Sequence, residues 1–421
     1  MHLSSKSVSA LPALLVGAGL ASTAFAAEPS VIGASVTVGV KQSDNRDLID
    51  KGKKEDQLSW YVAPAVSVRK EIADLLHLTA VYSPVYTHYE DCRPGQDENR
   101  WEHTLRFGLD YSFTPLTTLS IKENYWWRDQ KDTFYGDSYE YDSARDAGPS
   151  NDYYQNRLEG SLKQALSENG DYVKVGGRWR VKRYDEKVYS ENNDEDEWGA
   201  RAEYMHVYSA TFAYGLFADY TGWDRESAAD MDLGVDYLTV GVQATLDLSG
   251  DQNHLLYGSV GYNHIWYEAD EMDDQDLFGD SKLELRLFQQ TATHVFAGVR
   301  YGRDYSNIYP FSSQEDLAGY ASVRQYFGQE RRFSVGASVE LRTRTYDMDD
   351  DLNPAAAAYV DANAGKKEFD RDSVYVRLSA KYAITDHFGV GAFYTYEDVD
   401  SDVGSSFKEN VFGVNGTVTL F

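Results

Sequence analysis

The chain has 421 residues, 68 acids against 40 bases and a formal net charge of −28. That balance excludes nucleic-acid binding, which needs clustered cations to replace phosphate counterions, and it argues against docking on an anionic leaflet. One cysteine, Cys92, excludes internal disulfides, and after the N-terminus no run approaches the roughly 18 apolar residues a spanning helix needs.

The first segment reads as a cleaved secretory signal. Lys6 supplies the charge, Ala10 to Phe25 is apolar or small, and Ala24-Phe25-Ala26 is a small-x-small cleavage site. Residues 1–26 are therefore expected to be removed, leaving 27–421 as a single domain.

From Val31 the chain alternates. Ile32, Ala34, Val36, Val38 and Val40 share one face, while Ser35, Thr37, Gly39 and Lys41 share the other. That is a strand with one apolar face. Leu58–Lys70 and Leu76–Tyr86 repeat the pattern. In the fourth run Trp101, His103, Leu105, Phe107, Leu109, Tyr111 and Phe113 oppose Glu102, Thr104, Arg106, Gly108 and Asp110. Aromatics open and close that apolar face, as rings at the two membrane interfaces would.

Further strands are expected at Leu119–Arg128, Tyr154–Leu166, Tyr172–Tyr184, Trp198–Val207, Ala210–Trp223, Val235–Leu248, Leu255–Tyr267, Lys282–Gln289, Val295–Tyr305, Leu317–Phe327, Phe333–Tyr346, Ser373–Ile384, Phe388–Val399 and Asn410–Phe421. The count is about eighteen. Sixteen follows if one strand is falsely split, and the weakest split is His206–Ser209, where no Gly or Pro marks a turn. One short helical turn is conceivable at Ala355–Ala358.

The connections alternate as well. Short turns such as Glu71–Asp74, Thr114–Thr117, Ser249–Asn253 and Thr385–His387 separate long acidic stretches such as Ser43–Gln57, Gln130–Asp152, Glu268–Ser281 and Asp347–Arg371. A transmembrane barrel has tight periplasmic turns and long external loops, whereas soluble sandwiches and propellers keep no such asymmetry. The expected fold is an all-β, antiparallel, up-and-down transmembrane barrel in the bacterial outer membrane. Outer-membrane lipid and lipopolysaccharide are its expected surroundings. The last strand, ending in Phe421, is expected to be read by the outer-membrane assembly machinery, although Phe421 is out of phase with Phe412, Val414, Val418 and Leu420.

In so wide a barrel the polar face meets water. Its cations are the pore-lining candidates: Arg106, Arg157, Lys174, Arg178, Arg180, Lys182, Arg286, Arg300, Arg324, Arg342, Arg344, Arg377 and Lys381. They could form a charged filter favouring anionic solutes, or they could brace the wall by salt bridges to inward Glu102, Asp110, Glu159, Glu203, Asp219, Glu284, Glu340 and Glu397. Bracing has the larger claim, because acids and bases alternate around the wall. Inward Tyr61, Tyr172, Tyr184, Tyr320, Tyr326 and Tyr375 could stack on sugars, with packing the plainer role. The Gln130–Asp152 and Asp347–Arg371 loops are candidates for a constriction.

No phosphate-cradling loop, zinc motif or nucleophile elbow is present. Asp347, Asp349 and Asp351 have calcium-loop spacing, without the sixth-position Gly or the closing Glu. Neither cofactor nor catalytic residue is expected. Outward His103 and His264 read as interface residues.

Ser43-Asp44-Asn45, Ala80-Val81-Tyr82-Ser83-Pro84-Val85-Tyr86 and Leu109-Asp110-Tyr111-Ser112-Phe113-Thr114-Pro115 resemble the beta-barrel porin 2 family of outer-membrane proteins. The likeness covers the first quarter of the chain. It implies a porin-like barrel, of a group often linked with exopolysaccharide loci, and assigns no catalytic residue. The inward cations also resemble those of oligogalacturonate-specific porins, which are shorter. Passive diffusion of small hydrophilic solutes is the expected function. A non-conducting structural or assembly barrel serving surface polysaccharide is the alternative.

Overall fold

The computed structural model describes residues 31–44, 56–72, 75–90, 98–128, 153–184, 194–225, 234–267, 273–289, 292–305, 313–328, 330–347, 368–402 and 406–420. They form β1 (Val31–Ser43), β2 (Gln57–Ile72), β3 (Leu76–Tyr89), β4 (Asn99–Thr114), β5 (Thr117–Arg128), β6 (Tyr153–Ala165), β7 (Tyr172–Tyr184), β8 (Glu195–Val207), β9 (Phe212–Arg225), β10 (Val235–Asp247), β11 (Leu255–Tyr267), β12 (Asp273–Leu287), β13 (Thr293–Tyr305), β14 (Ser313–Phe327), β15 (Phe333–Asp347), β16 (Glu368–Ala383), β17 (Phe388–Ser401) and β18 (Phe407–Thr419). Each strand runs antiparallel to the next, in chain order, and β1 pairs with β18. The sheet is a closed 18-stranded barrel with no free edge. The sixteen-strand alternative is set aside. The signal segment, Cys92, Ala355–Ala358, Phe421 and most of the expected external loops lie outside the described residues.

The doubtful split at His206–Ser209 is a true turn. Ser209 does the work of the missing Gly or Pro: its Oγ accepts from the N–H groups of Thr211 and Phe212 at 3.3 and 3.1 Å. On the same side Asp171 accepts from Val207 N–H at 2.7 Å, which holds its carboxyl below the usual carboxylate range. Expected boundaries move most at β16 and β12: β16 starts at Glu368, inside the stretch read as the loop Asp347–Arg371 and ahead of the expected Ser373. β12 starts at Asp273, inside the stretch read as the loop Glu268–Ser281, and its register against β11 shifts between Gly261 and Asn263. A strand that rises above the bilayer needs no apolar face, so its acidic sequence hides it.

The registers keep one set of side chains on each face throughout. Val36 meets Pro64, Tyr82 meets Leu105, Leu216 meets Val242, and Leu341 meets Val374. This set points outward and is exposed: Leu216 is 60% accessible and Leu341 54%. So large an apolar belt would aggregate in water, and it is what hydrocarbon requires. Rings bound it. Trp60, Tyr86, Trp101, His103 and Trp127 lie in sequence at centroid spacings of 5.4, 4.9, 5.9 and 5.2 Å on the loop side. His264 stands against Trp266 at 4.3 Å on that side. Phe212 and Tyr214 mark the turn side, at 5.8 Å.

Two outward features break the pattern and are both compensated. Pro64 and Pro84 sit in paired strands, where Pro removes a donor. The β2–β3 ladder skips the segment between Val62↔Tyr86 and Val66↔Tyr82, so both missing donors fall at one place. Glu123 and Asn156 lie on the outward face, and Asn156 Nδ2 donates to Glu123 Oε1 at 3.2 Å, both side chains buried.

The belt predicts a position-dependent cost. Val240→Arg, midway along β10, should lower stability by about 2–4 kcal/mol, as for a cation at the bilayer midplane. Inward Ser67→Arg should stay within roughly 0.5 kcal/mol. Urea titration of the barrel in lipid vesicles measures both.

Candidate functional site

The inner wall is where solute chemistry can occur. The strand registers put all thirteen candidate cations on the face opposite the apolar belt. They divide into two groups.

Eight are engaged with the wall. Across β7, β8 and β9, Arg178 reaches Glu197 at 3.2 Å, Asp219 at 2.8 Å and the Thr221 hydroxyl. Arg180 reaches Glu195 and Glu197 at 3.3 and 2.9 Å. Arg201, absent from the candidate set, joins Asp219 at 3.3 Å. The reach of Arg178 across β8 depends on Gly199 directly opposite: a Cβ there would stand 2.9 Å from Arg178 Cζ. On the far wall Asp316 takes Arg342 through two guanidinium nitrogens, with Arg300 at 3.9 Å. Glu284 holds Arg286 at 3.2 Å and Lys282 at 2.5 Å, and accepts from the Tyr320 hydroxyl at 2.9 Å. Arg157 pairs with Glu159 at 2.7 Å. Lys182 lies over the rings of Tyr153 and Tyr184 at 5.2 and 5.0 Å, and Arg344 donates to the Tyr346 hydroxyl at 3.4 Å.

Arg106, Lys174, Arg324, Arg377 and Lys381 have no ion-pair or hydrogen-bond partner among the described residues. Arg106, Arg324, Arg377 and Lys381 are exposed, in contrast to Arg342 and Arg344, which are buried. Arg178, Arg180, Lys182, Arg342 and Arg344 are neutralised and withdrawn against the wall, whereas Arg157, Arg286 and Arg300 are paired but stay exposed to the lumen.

A second feature escapes a reading that treats the inward face as uniformly polar. At the loop ends the inward side chains turn apolar: Tyr184, Trp223, Ile265, Tyr346, Phe369 and Phe407 are each at most 4% accessible. With Lys182, Glu195, Arg344 and Glu409, buried on the same inward face, they form a packed collar at the loop end of the wall. In the sequence its apolar members are aromatic or aliphatic residues on the polar face near the loop ends of β7, β9, β11, β15, β16 and β18. The Gln130–Asp152 constriction candidate lies outside the described residues, and of Asp347–Arg371 only Asp347 and Glu368–Arg371 are described, as the ends of β15 and β16. A recess lies lower on the wall, about 340 Å³ in volume. It is lined by Lys122, Arg157, Lys174, Arg178 and Arg201 with Asp110, Glu159 and Glu203.

A closed sheet with lipid outside and charge inside defines an outer-membrane β-barrel. No family model matches the chain, and no curated protein matches it. Among solved structures it is similar to OpdL of Pseudomonas aeruginosa, with 14% identity, 93% of this chain and 99% of that one covered, and a TM-score of 0.44. It is also similar to the ferripyoverdine receptor of the Pseudomonas aeruginosa outer membrane (11%, 89% and 57%, 0.43) and to the FrpB iron transporter of Neisseria meningitidis (8%, 88% and 62%, 0.48). The chain spans less than two thirds of the length of either of these receptors.

The two classes of cation should respond differently to mutation. Arg178→Leu leaves Asp219 and Glu197 short of a partner and should cost about 1.5–3 kcal/mol. Arg324→Gln should change stability by no more than roughly 0.5 kcal/mol. Denaturant midpoints of the refolded variants check the contrast.

Proposed function

We infer that the chain is a porin-like channel that lets small hydrophilic solutes diffuse across the outer membrane and favours anions, sugar acids among them. The observation that carries this reading is the set of five inward cations that have no partner among the described residues. They stand on opposite walls: by the shorter way round the 18-stranded ring, Arg106 on β4 is eight strands from Arg324 on β14, and Lys174 on β7 is nine from Arg377 and Lys381 on β16. An anion crossing the barrel meets positive potential from both sides, over a screening distance of about 8–10 Å. The resemblance of the first quarter to beta-barrel porin 2 proteins supports the same class.

A second reading has one observation behind it. The apolar collar suits a barrel that does not conduct and serves the surface, for example in polysaccharide assembly. Lipid and lipopolysaccharide contacts through the outer belt, and recognition of the last strand by assembly machinery, belong equally to both readings.

Planar-bilayer recording separates them. Under a salt gradient the folded barrel should give steady currents with an anion-side reversal potential. The Arg106→Gln/Arg324→Gln/Arg377→Gln variant should move that potential toward the cation side. Cation-selective parent currents would sink the channel's anion preference, and silence from folded, heat-modifiable protein would favour the non-conducting barrel.

A further inference from the structure

The geometry points to a binding station for a small hydroxylated carboxylate, such as a sugar acid, at Arg324, Arg377 and Lys381 on the inner wall. It deepens the channel reading above and rests on its anion preference.

The register fixes the arrangement. Arg324 pairs with Gly336, which pairs with Ser379, so these three share one rung across β14, β15 and β16. Arg377 and Lys381 stand one pleat to either side of Ser379. With strands about 4.8 Å apart and alternate residues roughly 6.8 Å apart, the three cations mark the corners of a triangle whose centre is Gly336. All three extend from the wall, exposed and unpartnered among the described residues.

The floor of the triangle is low and polar. Gly336 contributes no side chain, and a Cβ there would stand 2.9 Å from Ser379 Oγ. Ser338 lies opposite Arg377, and Ser334 opposite Lys381. The hydroxyls of Ser334, Ser338 and Ser379 make no hydrogen bond among the described residues. Elsewhere on the wall hydroxyls are used internally, as in Thr37 with Thr417 at 2.8 Å. Here three are left facing the lumen beside three cations.

Acids are absent from the station. From β14 to β1, the inward positions on the turn side of Glu340 and Glu397 carry no carboxylate. Glu340 is one pleat above Ser338 and makes no ion pair with the three cations. The same cations placed beside carboxylates, as Arg178 and Arg342 are, would be consumed by the wall.

This chemistry selects its ligand. Guanidinium groups present paired N–H donors that match a carboxylate. The serine hydroxyls both donate and accept, which suits the hydroxyls of a sugar acid. A neutral sugar lacks the charge that the cations answer, and an inorganic oxyanion, which accepts from a hydroxyl but is compact, engages fewer of the serines spread across the triangle than a sugar acid does. The site opens to water on one side, so affinity is modest, as suits a solute that must also leave.

Equilibrium binding to the refolded barrel in detergent tests the station without requiring conduction. Glucuronate should bind, and glucose at the same concentration should not. Arg324→Gln/Arg377→Gln/Lys381→Gln should weaken glucuronate by at least about tenfold, the scale of one lost charge-assisted contact. Arg106→Gln on the opposite wall should leave that binding in place. Ser334→Ala/Ser338→Ala/Ser379→Ala should weaken glucuronate more than phosphate. Equal binding of glucuronate and phosphate, or equal losses from the Arg106 and the triple-cation variants, would overturn the station in favour of a diffuse positive field. Binding in detergent with silent bilayers would keep the station and remove the channel. Anion-selective currents without glucuronate binding would do the reverse.

Discussion

The structure depends on backbone hydrogen bonding in a medium that offers none. In hydrocarbon every unpaired N–H or C=O costs several kcal/mol, so a sheet can cross only if its first and last strands meet. Here β1 and β18 pair from Ser35↔Thr419 to Ser43↔Val411, which leaves no edge. Once the ring is closed the pleat dictates the rest: one side chain in two must face lipid and the other must face the lumen. The exceptions obey the same constraint. Two prolines share one gap in one ladder, and an outward carboxylate is answered by an outward amide.

The inner wall then poses a problem of its own. Eighteen strands enclose more space than side chains can fill, so inward charges such as Arg106, Arg324 and Arg377 stay near water, while Lys182, Glu195, Arg342 and Arg344 are buried against the wall. Pairing follows the reach of the nearest acid. Arg180 meets Glu197 directly opposite, Arg178 reaches past Gly199 to the next strand, and Arg157 and Arg286 take acids on their own strands. Lys174 is the exception, unpaired among the described residues although Glu203 lies opposite. Arg324, Arg377 and Lys381 face Ser or Gly with no acid beyond, and make no pair among the described residues. The division of the cations into bracing and solute-facing sets is thus set largely by register.

That explains what the sequence could and could not reveal. Alternation is local, so the strands, their number and the outward face were legible from Val31 onward, as was the asymmetry of the connections. Pairing partners are separated by loops of unequal length, so nothing in the chain says that Arg178 will meet Asp219 or that Arg377 will meet Ser338. Both sets of cations therefore looked alike. β12 was misplaced because its first residues are acidic and sit beyond the lipid, where alternation carries no selective force. The Ser209 turn was doubted because a side-chain hydroxyl can close a turn that Gly or Pro usually closes.

The wall divides along its height. At the loop ends its rings are at most 4% accessible, and Lys182, Glu195, Arg344 and Glu409 are buried on the same inward face. These side chains pack against the wall and present no surface to a solute. The exposed cations lie below them. Under the proposed channel reading, discrimination therefore falls to those cations and to the hydroxyls beside Arg324, Arg377 and Lys381. A carboxylate answers the cations, and the hydroxyls of a sugar acid answer the serines, whereas a chloride ion has only the charge.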